Sequence, residues 1–173
     1  MILLIGGSGC GKSYYGEKIC VSAPAPRYYL AAMQPYGEEG EKRIARHRAM
    51  RAGKGFETIE RYRDYAALKL PSKGTALLEC AANLTANEMF DDNGNQSDPV
   101  ERVLSGVDAL LPQCETLVVI TNEIGSDGIV YSPSTTDYIR ALGKINAALA
   151  EKADTVIEMA AGIPILLKGK LPL

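Results

Sequence analysis

Apolar residues in this chain cluster in short unbroken runs, Ile2-Leu3-Leu4-Ile5 and residues 28–32, 75–80, 116–121, 155–159 and 163–167, separated by longer mixed stretches. Most of these runs are continuous rather than alternating, which is the pattern of strands covered on both faces. The mixed stretches have helical periodicity. In residues 98–111, Asp98 can cap, Pro99 suits a first helical position, and Val100, Val103, Leu104, Val107 and Leu111 repeat along one face. In residues 134–152, Tyr138, Leu142, Ile145 and Leu149 form another stripe. A helix running to about Val21 follows the first strand, and the polar, glycine-containing stretches 36–40 and 91–97 read as loops. The expected fold is α/β, with a mostly parallel sheet between helices.

Length and charge narrow the picture. The 173 residues suit one domain spanning 1–173, and 19 Lys+Arg against 21 Asp+Glu leave a net charge of −2, no footprint for gripping nucleic acid. The apolar runs are far shorter than the roughly 18–20 residues a membrane span needs, and residues 2–5 are too short for a signal-peptide core, so a cytoplasmic protein is expected. Cys10, Cys20, Cys80 and Cys114 form no closely spaced pair, so neither a structural metal site nor a disulfide is expected.

The most informative motif follows the first strand: Gly6-Gly7-Ser8-Gly9-Cys10-Gly11-Lys12-Ser13 fits the phosphate-binding loop G-x-x-x-x-G-K-S. Its glycines let backbone N–H groups turn toward phosphate oxygens, and the following helix adds positive potential at its N-terminus. Lys12 can bridge terminal phosphates and Ser13 can ligate Mg²⁺. Glu79 and Glu123 each follow an apolar run, at strand ends where open α/β sheets bind ligands, so either could also organise Mg²⁺. The single histidine, His47, lies in a helix-compatible basic stretch, with Arg43 and Arg51 four residues to either side. Such a face suits a polyphosphate, and a neutral imidazole in it could serve as a nitrogen nucleophile attacking phosphorus, although a solvated basic helix accounts for the same residues. A phosphate loop serves kinases, switches and nucleotidyltransferases alike. A small-molecule kinase with no covalent histidine therefore stays open, whereas the Asn-Lys-x-Asp guanine motif of nucleotide switches is absent.

Taken together, the loop, Tyr29-Leu30-Ala31-Ala32-Met33-Gln34, Arg43-Ile44-Ala45-Arg46-His47-Arg48, Leu77-Leu78-Glu79-Cys80 with Asn87, and Thr121-Asn122-Glu123-Ile124-Gly125 with Gly128-Ile129-Val130 resemble one family nearly end to end. It is the bifunctional adenosylcobinamide kinase/adenosylcobinamide-phosphate guanylyltransferases of cobalamin biosynthesis. The resemblance implies a P-loop NTPase fold of the RecA-like, three-layer kind and a homotrimer. It implies phosphorylation of adenosylcobinamide, then GMP transfer from GTP to adenosylcobinamide phosphate, with GTP and ATP as substrates. It also implies that His47 carries the guanylyl group, that residues 6–13 with Ala31, Ala32 and Met33 contact nucleotide, and that Arg48, Ala49, Met50, Arg51, Glu60 and Glu79 help hold it.

Overall fold

The computed structural model describes every residue except Tyr36 and Asp92, with Glu39 and Arg43 described by backbone alone. Seven strands form one sheet in the order β3-β2-β4-β5-β1-β6-β7. They are β1 (Ile2–Ile5), β2 (Arg27–Ala31), β3 (Phe56–Glu60), β4 (Gly74–Leu78), β5 (Cys114–Ile120), β6 (Thr155–Ala160) and β7 (Ile163–Lys168). All neighbours pair in parallel except β6 and β7, which form a hairpin whose turn residues, Ala161 and Gly162, have φ of 50° and 82°. The sheet is therefore mostly parallel, as the apolar runs predict.

The helices are α1 (Lys12–Ser22), α2 (Gly37–Arg51), α3 (Ala81–Met89), α4 (Val100–Leu110) and α5 (Pro133–Lys152). Strand side chains alternate between two cores. Leu4, Tyr29, Leu77, Val118 and Ile157 pack with Tyr15 and Ile19 of α1. Leu3, Tyr28, Leu30, Leu78 and Val119 pack with Leu84 of α3, Val103 and Val107 of α4, and Ile145 and Leu149 of α5. Each fully buried large side chain stabilises the fold by about 1.5–3 kcal/mol. The P-loop helix lies close on the sheet because Gly16 has no side chain: a Cβ there would meet Leu77, Ile120 and Leu4 methyls at 3.0–3.2 Å.

Both periodic helices are present. Asp98 Oδ1 accepts from Val100 N at 3.0 Å, and Ser132 Oγ caps α5 by accepting from Thr135 N at 3.3 Å. Three expectations need correction. The strand β3 escapes the apolar pattern because Phe-Glu-Thr-Ile-Glu is a half-exposed edge strand. At the other edge, β7 is exposed over most of its length rather than covered on both faces. Residues 37–40, expected as loop, form the first turn of α2, where Glu38 pairs with Lys42 one turn on and acidic residues favour a helix N-terminus. The loop expected at 91–97 is present in its described part, where Asp91 Oδ1 accepts from Asn93 N and Asn95 N; Tyr36 and Asp92 lie outside the described residues. Among the described residues no helix is long and apolar enough to cross a membrane.

Candidate active site

The parallel strands bring the loops after β1, β2, β4 and β5 to one edge of the sheet, the carboxyl edge where open α/β sheets bind ligands. After β1 the chain turns through Gly6 at φ 147°, and a Cβ there would stand 2.6 Å from the Met159 carbonyl oxygen. Only glycine fits that position. Gly9 and Gly11 also take positive φ, and α1 starts at Lys12, so its N-terminus faces the loop. The Lys12 side chain is 6% exposed and folds back, its Nζ donating to the carbonyls of Gly6 at 2.8 Å and Gly7 at 2.5 Å. Cys10 Sγ lies 3.6 Å from the same ammonium. These contacts keep a buried cation satisfied inside the loop.

The loop walls a cavity of about 330 Å³ whose other sides come from Met33, His47, Met50, Cys80, Asn83 and Asn122. Ser8 through Ser13 all line it, while Gly6 and Gly7 contribute the carbonyls that hold Lys12. A second cavity of about 360 Å³ adjoins it, lined by Ala31, Met33, Arg48, Arg51, Glu60 and Tyr62 among others. His47 and Glu79 belong to both walls.

His47 sits on α2 with its side chain 13% exposed, and its Nδ1 donates to Glu79 Oε1 at 2.6 Å. Glu79 follows β4, fixed by its N–H donating to Leu30 O at 3.0 Å, and is 4% exposed. Its Oε1 also accepts from the Tyr29 hydroxyl at 3.1 Å, and its Oε2 accepts from Met33 N at 3.4 Å. Burial, reinforced by the Glu79 charge, pushes the Tyr29 phenol far above its usual range, so it stays a donor. The second ring nitrogen, Nε2, has no hydrogen-bond partner among the described residues, and in the neutral ring with Nδ1 as the donor it is the nitrogen that carries the lone pair. The sequence expected guanidiniums to flank the imidazole; its bonded partner is instead a carboxylate. Arg51, one turn on, lies 4.2 Å over the Tyr29 ring, and the Arg43 side chain lies outside the described residues.

The remaining expected residues divide. Arg48 pairs with Glu60, and both line the second cavity. Ala32 is fully buried, its carbonyl accepting from Asn87 Nδ2 at 2.8 Å, so it can meet a ligand only through its backbone neighbours. Ala49 is exposed and lines neither cavity. Glu123 is exposed, its N–H donating to Gly6 O, while the neighbouring Asn122 reaches the phosphate-loop cavity. Among the described residues no group of three or more His, Cys, Asp or Glu side chains is arranged to hold a metal ion. Both Glu79 oxygens already accept hydrogen bonds, which suits an imidazole partner better than a metal ligand. Sequence reasoning gave no role to Tyr29: it pairs with Leu77, so its side chain shares a sheet face with Glu79 two residues on, but that follows only once β2 is known to neighbour β4.

A family model described as cobinamide kinase / cobinamide phosphate guanyltransferase, CobU, matches residues 2–167. The chain belongs to this family. Similar curated relatives are the bifunctional adenosylcobalamin biosynthesis proteins CobU of Escherichia coli (strain K12), 29% identical, and of Salmonella typhimurium (strain LT2), 30% identical. Each alignment covers 97% of this chain and 99% of the relative. CobP of Pseudomonas aeruginosa, with the same description, is 28% identical over 97% of both chains. A solved ATPase from the type III secretion system of pathogenic bacteria superposes at TM-score 0.47 and 16% identity, covering 91% of this chain and 50% of that one.

Proposed function

We propose that this family member phosphorylates adenosylcobinamide and then transfers GMP from GTP to adenosylcobinamide phosphate through a guanylyl group on His47. The observation that carries this reading is the imidazole: it stands in the wall between two cavities, Nδ1 held by Glu79 at 2.6 Å and Nε2 left for a substrate. In the first half of the transfer the Nε2 lone pair attacks the α-phosphorus of GTP. The bond to the bridging oxygen breaks and pyrophosphate leaves with its electron pair. In the second half a phosphate oxygen of adenosylcobinamide phosphate attacks the same phosphorus, and the P–N pair returns to Nε2, giving adenosylcobinamide-GDP. The Nδ1 proton stays on the ring throughout, and Glu79 offsets the positive charge that develops there.

The kinase step uses the phosphate loop: the substrate hydroxyl oxygen attacks the γ-phosphorus of ATP or GTP, the diphosphate leaves with the bond pair, and the hydroxyl proton passes to solvent. Lys12 then leaves the Gly6 and Gly7 carbonyls for the phosphates. The Ser13 hydroxyl, on the first turn of α1 and in the cavity wall, is the side chain that would hold a Mg²⁺ ion accompanying the nucleotide, which would neutralise phosphate charge. The second cavity, with Ala31, Met33, Arg48 and Glu60 in its wall, takes the nucleoside part of GTP, and a homotrimer, measurable by light scattering, follows from the family resemblance.

Intact-protein mass spectrometry after incubation with Mg²⁺ and GTP tests the transfer. A GMP adduct mapped to His47, labile in acid and stable in base as a phosphoramidate is, supports it. Kinase turnover with no adduct leaves a small-molecule kinase in its place.

A further inference from the structure

We propose that Tyr29 is a positioning residue for the guanylyl transfer, acting on His47 through Glu79, with Arg51 and Phe56 fixing its ring. The proposal rests on the transfer reading above. Tyr29 is fully buried on β2, and its hydroxyl reaches the Glu79 oxygen that holds the imidazole: O–Oε1 is 3.1 Å, Oε1–Nδ1 is 2.6 Å and O–Nδ1 is 3.2 Å. Two donors thus meet at one carboxylate oxygen. A carboxylate holding one donor can rotate about its side-chain bonds and carry the imidazole with it. One whose Oε1 accepts from two donors and whose Oε2 accepts from Met33 N has its plane fixed, and with it the direction of Nε2.

The ring of Tyr29 is itself held on two sides. The Arg51 guanidinium covers its face at 4.2 Å, and Phe56 meets it edge-on with centroids 6.0 Å apart and planes at 84°. Arg51 is 8% exposed and donates from Nε to Thr58 Oγ1 at 3.1 Å, which ties the clamp to β3. The edge strand whose polar sequence concealed it therefore supports the site from behind: β3 holds Arg51 and Phe56, these hold Tyr29, and Tyr29 orients Glu79.

Tyr29→Phe removes one oxygen and keeps the ring. The expected result is a loss of about tenfold or more in the single-turnover rate of GMP-adduct formation, with the GTP dissociation constant unchanged within about twofold. In a Glu79→Gln background the same substitution should cost less than about twofold, because the path it acts through is already cut. A wild-type adduct rate in Tyr29→Phe, or equal losses in both backgrounds, overturns the proposal. A second measurement needs no GTP: the downfield proton resonance of His47 Nδ1–H should shift in Tyr29→Phe, and an unmoved resonance also overturns it. If the wild-type protein forms no adduct, the transfer reading fails, while the resonance still decides whether Tyr29 orients the imidazole.

Discussion

In the phosphate loop, consecutive residues from Gly6 to Ser13 shape the site through their own backbone, and the functional cation is parked on the loop's own carbonyls. The His47 pocket draws instead on α2 for the imidazole, β2 for Tyr29, the end of β4 for Glu79 and β3 for the support behind them. A local motif binds a ligand class that many chemistries share. The second region, assembled from distant segments, aims a single nitrogen, and the proposed transfer depends on that aim. The two should therefore fail differently when cut.

The largest effect is expected at His47. His47→Asn should bind GTP with near-normal affinity and form no adduct at all, because the nucleophilic nitrogen is gone while the phosphate loop is untouched. Detecting the GMP mass on the variant, or finding its transferase turnover intact, would reject the covalent role. Lys12→Ala should do the reverse. A buried charge leaves the loop, so triphosphate affinity should drop by about 1.5–3 kcal/mol, the worth of a charged hydrogen bond, while the His47–Glu79 pair keeps its geometry. Calorimetric titration with GTP checks the affinity. An unchanged dissociation constant would mean that Lys12 never leaves the Gly6 and Gly7 carbonyls.

The same contrast explains what could be read from the sequence. Residues 6–13 announce themselves because the loop's function is carried by spacing along one segment. The apolar runs mark five covered parallel strands, β1, β2, β4, β5 and β6, for a similar reason, since such a strand must be apolar throughout, while the sixth run is the exposed antiparallel edge strand β7. Edge strands carry no such constraint, so β3 stayed hidden in Phe56-Glu57-Thr58-Ile59-Glu60. Glu79 was recognised as a carboxylate at a strand end, but its partner depends on which strand neighbours β4 and on where α2 crosses it, and no periodicity encodes either. For that reason the arginines flanking His47 looked like its natural environment, whereas one of them, Arg51, reaches past the imidazole to the tyrosine behind it.

Cysteine chemistry separates the two regions at lower cost. Cys10 is partly exposed in the phosphate-loop cavity, 3.6 Å from the Lys12 ammonium. Burial pushes the Cys20 thiol up to about 12 and the Cys114 thiol up to about 11, and it raises Cys80 as well. A thiol at about 12 is thiolate in only about one molecule in ten thousand at pH 8, and that fraction grows tenfold with each pH unit. Iodoacetamide at pH 8 should therefore label Cys10 alone in the folded protein, and GTP should protect it. Labelling of Cys80 at the same rate would mean that the wall between Glu79 and the phosphate loop opens in solution.

The smallest effect on chemistry is expected where the two regions are tied together. Lys54, just past α2, donates from Nζ to Glu17 Oε2 on α1 at 2.6 Å; Glu17 is 1% exposed, and its Oε1 has no hydrogen-bond partner. Lys54→Ala leaves a buried carboxylate with neither oxygen paired. Breaking a fully buried pair from one side costs about 3–5 kcal/mol, and because Lys54 is 31% exposed, water can replace part of it, so about 2 kcal/mol is expected. Glu17→Gln removes the charge along with the attraction and should cost less. The readout is the urea midpoint at constant m-value, and equal midpoints for Lys54→Ala and wild type would show that the pair contributes nothing. Adduct formation in Lys54→Ala should stay within about threefold of wild type, since the imidazole is aimed by Glu79 and not by the end of its helix. A loss of about tenfold or more, as expected for Tyr29→Phe, would mean the opposite: the C-terminal turn of α2, carrying Arg51, sets the position of His47, and the phosphate-loop helix reaches the histidine through Glu17 and Lys54.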